Sequence, residues 1–270
     1  MVLRLPTMDF AADMAESIAA LRENEPPEGY YGLFSGGKDS VVLKHVAKMA
    51  DVRVTWHYNV TTIDPPELIR FMRQHHPDVI WHRPPKGPFF RRAAEVKGFP
   101  TRRTRWCCEE YKENTNPEGV TLLMGIRGEE SAARAKNWDI VSNHFNRVSK
   151  RETPSVNPLY RWPTEDLWKF IRGEGVPYCS LYDEGFHRLG CIGCPFAGRD
   201  GKRREFDRWP RFEERWQYVF KRTWERRTGT TQRDGRPWFG DAFFRNWQEM
   251  WEWWLSDRSL PERIAEGDDG

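Results

Sequence analysis

Long apolar runs are missing from this 270-residue chain, and none of its segments could span a bilayer as a helix. No membrane partner is therefore expected. Charge of one sign is nearly balanced: 43 Lys and Arg face 40 Asp and Glu, a net charge of +3. That surplus is too small to indicate a nucleic-acid partner by itself. Cysteine is scarce and confined, with five residues, all between positions 107 and 194. An odd number, beside a start that does not read as an export signal, argues against a disulfide framework. Metal binding, redox chemistry or burial remain. Internal repeats and low-complexity segments are absent too, which excludes a solenoid.

What is present suits a globular chain. Apolar content is 38% and charged content 31%, enough for one large domain or a domain plus an appendage. The start, "MVLRLPTMDFAADMAESIAALRENEPPEG", carries acids within its apolar part. It reads as an amphipathic helix with Phe10, Met14, Ile18 and Leu21 on one face, and a cytoplasmic location is expected. Two stretches are basic, "FFRRAAEVKGFPTRRTR" at 89–105 and "GKRREFDRWPR" further on. Each is read as a solvated face, with phosphate of a nucleotide or polymer as the alternative ligand.

Periodicity alternates along the chain. "YYGLF" predicts a buried strand, "SVVLKHVAKMA" a helix, "VRVTWHY" a second strand and "ELIRFMRQHH" a helix opened by the Asp-Pro pair. "VIWH" and "VTLLMG" predict third and fourth strands. Residues 89–97 and 106–113 look helical, and Thr164 is placed as the cap of a helix in "PTEDLWKFIRG". Strands alternating with helices imply an α/β fold, a Rossmann-like parallel sheet with helices on both faces. In such sheets the loops after strands, here "SGGKDS", "TTIDPP" and "GIRGEES", converge on one crevice. From about residue 196 the composition shifts, and eight of the fourteen tryptophans follow. Trp209, Phe212, Trp216, Phe220 and Trp224 recur every three or four residues, as do Phe244, Trp247, Trp251 and Trp254. These stripes are read as core of a helical, aromatic-rich extension, with base stacking as the lesser alternative. The expected division is a helix over 1–28, a nucleotide-binding domain over 29–196 and the helical extension over 197–270. The closing "AEGDDG" is expected to fray.

The segment "FSGGKDS", residues 34–40, concentrates anion-binding features between a strand and a helix. A helix start offers unpaired N–H groups and the positive end of the dipole. Gly36 and Gly37 let the backbone approach a phosphate, Lys38 adds a mobile charge, and Ser35 and Ser40 add hydroxyls. Asp39 is a candidate helix cap or magnesium ligand. The spacing is not that of a Walker A loop.

"FSGGKDSVVLKHVA" resembles the pyrophosphate-binding loop of the adenine nucleotide alpha hydrolase superfamily, and within it the chain resembles the phosphoadenosine phosphosulfate (PAPS) reductase family. "TTIDPPELIRFMRQHHPDV", "GIRGEESAAR" and "NPLYRWPTEDLWKFIRGEGVPYCSLYDEGFHRLGC" resemble later segments of that family, so the likeness runs from about 29 to 196. The resemblance implies an adenine nucleotide with its phosphates over residues 35–40. It implies Arg127 and Arg134 on phosphate or sulfate groups, for which the planar guanidinium fork is suited. The bland alternative for "GIRGEESAAR" is a solvent loop with local Arg–Glu pairs.

"WCCEEYK" supplies Cys107 and Cys108, "GCIGCPF" supplies Cys191 and Cys194, and 82 residues lie between the pairs. Four thiolates can surround zinc or an iron–sulfur cluster, and ligand chemistry alone allows either. The arrangement resembles the [4Fe–4S] motif of adenylylsulfate-type reductases, which favours the cluster. Cys179 stands alone and reads as a buried small residue.

The intact "SGGKDS" resembles relatives that use ATP, whereas reductases of this type carry a catalytic cysteine in a C-terminal segment; here none follows Cys194. The first expectation is cleavage of ATP between the α and β phosphates during sulfur transfer. Lys38, Asp39 and Arg127 would act on the phosphates, and Asp39 or Asp64 would hold Mg²⁺. The partners implied are a sulfur donor such as a cysteine desulfurase and a DNA or RNA acceptor; a homo-oligomer stays open. The second expectation is a PAPS or adenylylsulfate reductase served by thioredoxin. The third is a nucleic-acid-binding module without turnover.

Overall fold

The computed structural model describes residues 10–113, 116–146, 151–231 and 244–258. The readings of the residues before Phe10 and of "AEGDDG" lie outside them. By internal contacts the chain divides into two compact units. One gathers Met1–Val60, Pro65–Arg83 and Glu113–Gly190; the other gathers Thr61–Asp64, Pro84–Lys112 and Cys191–Gly270. This division differs from the linear boundaries at 28/29 and 196/197. Residues 84–112 group with the C-terminal segment because the helix Pro210–Arg227 packs on residues 93–97, and Phe99 stacks on Phe220 at 4.2 Å.

The first unit is built on one sheet of β1 (Tyr30–Leu33), β2 (Val54–Asn59), β3 (Ile80–His82), β4 (Leu122–Leu123), β5 (Val141–Asn146) and β6 (Arg151–Val156). Its order is β3-β2-β1-β4-β6-β5. All pairings are parallel except β5 with β6. Tyr31 in β1 pairs with Thr55 on one side and Leu122 on the other, so β1 is central. The chain runs outward from β1 to β3, then returns to the far side of β1 as β4. That reversal creates a switch point between β1 and β4, where open α/β sheets bind ligands beyond the strand carboxyl ends.

The first four strands lie where periodicity puts them. The antiparallel β5–β6 pair is an addition to the expected parallel pattern. Its sequence hides it: Val141 and Phe145 in β5 stay exposed, so no apolar face marks the strand, and Pro154 falls inside β6. Helices Phe10–Glu23, Lys38–Met49, Pro66–His75, Ala132–Asn137 and Thr164–Gly173 surround the sheet in the same unit. Helix Lys38–Met49 buries Val42, Leu43 and Val46 completely. Thr164 does not cap its helix. Pro163 holds the cap position, and the Thr164 hydroxyl is taken by Arg127 at 3.1 Å.

In the second unit, residues 89–97 and 106–113 are helical, each beginning as α and widening to π. Helices Gly198–Arg208, Pro210–Arg227 and Trp247–Ser256 follow. The aromatic stripes form core. Trp216 meets Trp254 at 5.0 Å and Phe220 meets Trp251 at 5.2 Å between ring centroids, all four buried. Each such burial contributes about 1.5–3 kcal/mol, and an aromatic pair adds about 0.5–1.5 kcal/mol. Among the described residues no helix is long and apolar enough to cross a membrane.

Candidate nucleotide loop and cysteine pocket

The loop after β1 is shaped by Gly36, at φ +72°, where a Cβ would also approach Met72 within 2.6 Å. The turn is tied internally: the Ser35 amide donates to Ser40 Oγ at 3.2 Å, and Ser40 Oγ donates to the Gly37 carbonyl at 2.9 Å. Gly37 is the N-cap of helix Lys38–Met49, and no side chain caps it. Asp39 is therefore not the helix cap. Its Oδ2 meets the buried Lys38 ammonium at 3.2 Å, and its Oδ1 meets Arg127 Nε at 2.6 Å. Burial alone would push the Asp39 carboxyl up, but Lys38 first and Arg127 next outweigh it and hold it below the ordinary carboxylate value. Asp39 is accordingly ionised.

The loop after β4 delivers Arg127, 3% exposed. A guanidinium has five N–H donors. Arg127 directs Nε to Asp39, Nη1 to both Glu129 and the Trp162 carbonyl at 3.0 Å, and Nη2 to Thr164 at 3.1 Å. The fork read as a phosphate ligand is thus spent largely on protein acceptors and fixes Asp39. Arg134, half-buried, pairs with Glu130. Burial first and the like charge of Arg188 next lower its guanidinium pKa, which places Arg134 and Arg188 in one cationic neighbourhood. The loops "SGGKDS" and "GIRGEES" do come together.

Sequence reading passed over Tyr182. Its phenol oxygen accepts the Lys38 backbone N–H at 2.8 Å. Nothing in the composition of "SLYDEG" marks that tyrosine, since the contact links residues 144 positions apart. Arg188 was overlooked for a similar reason: it is a single cation with no periodic context.

The second unit holds the other cluster. Cys107, Cys108, Cys191 and Cys194 line one cavity, walled by Phe89, Tyr111 and Trp216. A tight turn supports the Cys-x-x-Cys half. Cys194 N–H donates to the Cys191 carbonyl at 3.2 Å, Ile192 N–H to Ile63 at 2.8 Å, and Gly193 N–H to Glu205 at 2.7 Å. Gly193 has φ +75°, and a Cβ there would run into the Trp216 indole. The Cys107 thiol pKa is raised by its hydrogen bond with Cys108, then by burial and by the other three thiols. Burial pushes Cys191 up to about 12, against the pull of the Lys112 ammonium. Lys112 and Thr61 line the same cavity, and neither was singled out in the sequence. Asp64 accepts from Thr61 Oγ1 at 2.5 Å and carries its charge near Lys112 and Cys191, so it belongs with the cysteine unit. Among the described residues no three His, Cys, Asp or Glu side chains are grouped to hold a single metal ion. Cys179 lies in the first unit, 1% exposed, its thiol pKa raised by burial.

Residues 30–197 match the model of the phosphoadenosine phosphosulfate reductase domain family. The chain belongs to this family. MJ0066 of Methanocaldococcus jannaschii is 30% identical over 204 residues, covering 70% of this chain and 40% of that protein. Adenosine 5'-phosphosulfate reductase of Oceanobacillus iheyensis is 30% identical over 87 residues, 32% of this chain and 34% of that one. The chain spans less than half the length of these relatives. Among solved structures, PAPS reductase from Candida auris superposes with a TM-score of 0.47 at 17% identity, covering 71% of this chain and 98% of that one.

Proposed function

We propose that this PAPS reductase-family chain binds ATP at the loop after β1 and cleaves it between the α and β phosphates during sulfur transfer. One observation carries the reading. Lys38 and an ionised Asp39 sit at the amino end of a helix, behind a glycine turn, at the sheet's switch point. Lys38 and the loop amides would bear the charge that develops on the departing pyrophosphate. Asp39 Oδ2 is paired with the buried Lys38 ammonium at 3.2 Å, so Mg²⁺ would take that oxygen by exchanging this ion pair. Arg127 acts as a positioning residue by pinning Oδ1. Arg134 and Arg188 add positive charge for the remaining phosphate oxygens. Asp64 is the other carboxylate that would hold Mg²⁺.

Cys107, Cys108, Cys191 and Cys194 would hold a [4Fe–4S] cluster, which when bound supplies sulfur carriage or a structural anchor. The donor set fits: all four cysteines line one cavity. Zinc, bound by thiolates at about 2.3 Å, is the alternative for the same four ligands. A cysteine desulfurase as donor and DNA or RNA as acceptor complete the proposal.

A second reading, reduction of PAPS or adenylylsulfate with thioredoxin, has the likeness to adenosine 5'-phosphosulfate reductases behind it. It needs an accessible thiolate, and the one cysteine outside the pocket, Cys179, is buried with a raised pKa. The deciding experiment is anaerobic incubation of cluster-loaded protein with ATP, and separately with PAPS or adenylylsulfate plus reduced thioredoxin. AMP and pyrophosphate from ATP support the proposal. Sulfite from a sulfonucleotide supports the second reading. Nucleotide left intact, beside salt-sensitive binding of DNA or RNA, would replace both with a binding role.

A further inference from the structure

The first turn of helix Lys38–Met49 already has a ligand, and that ligand is the chain itself. Tyr182 stands at the end of the short turn Ser180–Tyr182, its ring against Trp168 at 5.2 Å and Tyr178 at 6.4 Å. Its oxygen lies 2.8 Å from the Lys38 amide nitrogen. The same oxygen would be 3.4 Å from a Cβ on Gly37, so it rests over the glycine turn. The Lys38 ammonium is 5.9 Å from the ring centroid. A backbone N–H at a helix start is the donor that phosphate oxygens use in glycine loops of this kind.

We propose that Tyr182 is a built-in competitor for the phosphate loop: its phenol oxygen occupies a phosphate-oxygen position on the Lys38 amide, and a pyrophosphate-bearing ligand binds by displacing it. The proposal rests on the loop being the phosphate site. Burial keeps the phenol protonated, so the competitor is a neutral acceptor. A phosphate oxygen is anionic, and charge-assisted bonds are roughly twice as strong as neutral ones. The ligand therefore wins, but against an internal bond. Apparent affinity is reduced by the fraction of molecules in which the amide is free. Water cannot fill this place with the same advantage, because the phenol is tethered and pre-positioned. Tyr182 thus discriminates against weak anions: a single chloride or bicarbonate gains too little to open the loop, whereas a diphosphate gains several bonds at once.

The test uses the full chain, ¹⁵N-labelled, titrated with inorganic pyrophosphate and followed at the Lys38 amide resonance, for wild type and Tyr182→Phe. Loss of one neutral hydrogen bond from the closed state should tighten pyrophosphate binding about fivefold in Tyr182→Phe. In the wild type the Lys38 amide should move from its phenol-bonded to its phosphate-bonded position. Equal or weaker binding by Tyr182→Phe overturns the proposal and makes Tyr182 either a bystander or a phosphate donor, with the loop still the phosphate site. If neither protein binds pyrophosphate and the Lys38 amide stays unmoved, the loop reading itself fails, and the competitor proposal fails with it.

Discussion

Replacing Gly193 by alanine tests whether the Cys-x-x-Cys turn is set by backbone conformation and packing together. At φ +75° an L-residue is strained by about 1–2 kcal/mol. The added methyl also meets the indole of Trp216, which is fully buried and donates to the Ile192 carbonyl at 3.0 Å. The ring cannot retreat without overpacking the aromatic core, at about 1–3 kcal/mol, or giving up a bond of about 1 kcal/mol. The total is about 2–5 kcal/mol. Gly229 is an internal control, with the same φ of +75° but nothing within 4 Å of its Cβ position. Gly229→Ala should therefore lose only the conformational part. Urea midpoints of the two variants, measured by circular dichroism in reducing buffer, give the comparison. Gly193→Ala should fall further by about 2 kcal/mol, and its pocket thiols should react faster with a maleimide. Equal losses in the two variants would refute the packing argument and leave only backbone strain.

Four other outcomes are expected. Lys38→Ala should weaken ATP binding by about ten- to a hundredfold in calorimetry, the worth of a charged hydrogen bond; unchanged affinity would remove the loop from the site. Asp39 has a depressed pKa, so its stabilisation is complete above the ordinary carboxylate pKa of about 4 and is lost as pH falls through the lower folded value. Asp39→Asn should abolish that part of the acid slope in unfolding curves. His57 and His76 are held down to about 4, chiefly by burial, with His82 next for the first and Lys44 next for the second. Between the unfolded value of about 6.5 and pH 4 the unfolded chain binds more protons, so stability should fall as pH is lowered across that window; a flat profile in His76→Gln and wild type alike would show that His76 is not titrating. Cys191→Ser should lower the iron content and visible absorbance of anaerobically prepared protein; a colourless wild type with stoichiometric zinc would end the cluster proposal.

Much of this was legible because it was local. "FSGGKDS" joins a strand to a helix within seven residues, and its glycines, lysine and aspartate carry their roles in their types. The aromatic stripes at 209–224 and 244–254 declare their buried face by spacing alone. What escaped is non-local or unpatterned. The β5–β6 pair has no apolar alternation, since Val141 and Phe145 remain exposed at the edge. Tyr182 reaches the loop only through the fold. The resemblance assigns Arg127 to phosphate or sulfate, but the glutamate, carbonyl and hydroxyl that take up its donors come from Glu129, Trp162 and Thr164, and no spacing rule gathers them. Residues 84–112 lie inside the family match over 30–197, and their grouping by contacts with the C-terminal segment, as in the stacking of Phe99 on Phe220, has no signal in linear position.

The separation of the two cysteine pairs has a consequence for biosynthesis. Between Cys108 and Cys191 lie 82 residues, among them β4, β5 and β6. At about 5–20 residues per second, a ribosome spends roughly 4–16 seconds on that stretch. Through this interval the first pair waits with half of its pocket, whose walls are also incomplete, because Trp216 has yet to be made. Closing a loop of this size carries an entropic cost that grows only with the logarithm of its length, so the delay is one of time more than of stability. The adjacent thiols are most open to oxidation or to capture by stray metal ions while the chain is nascent. Assembly of the proposed cluster would therefore be a late event, timed by emergence of the "GCIGC" turn from the ribosome.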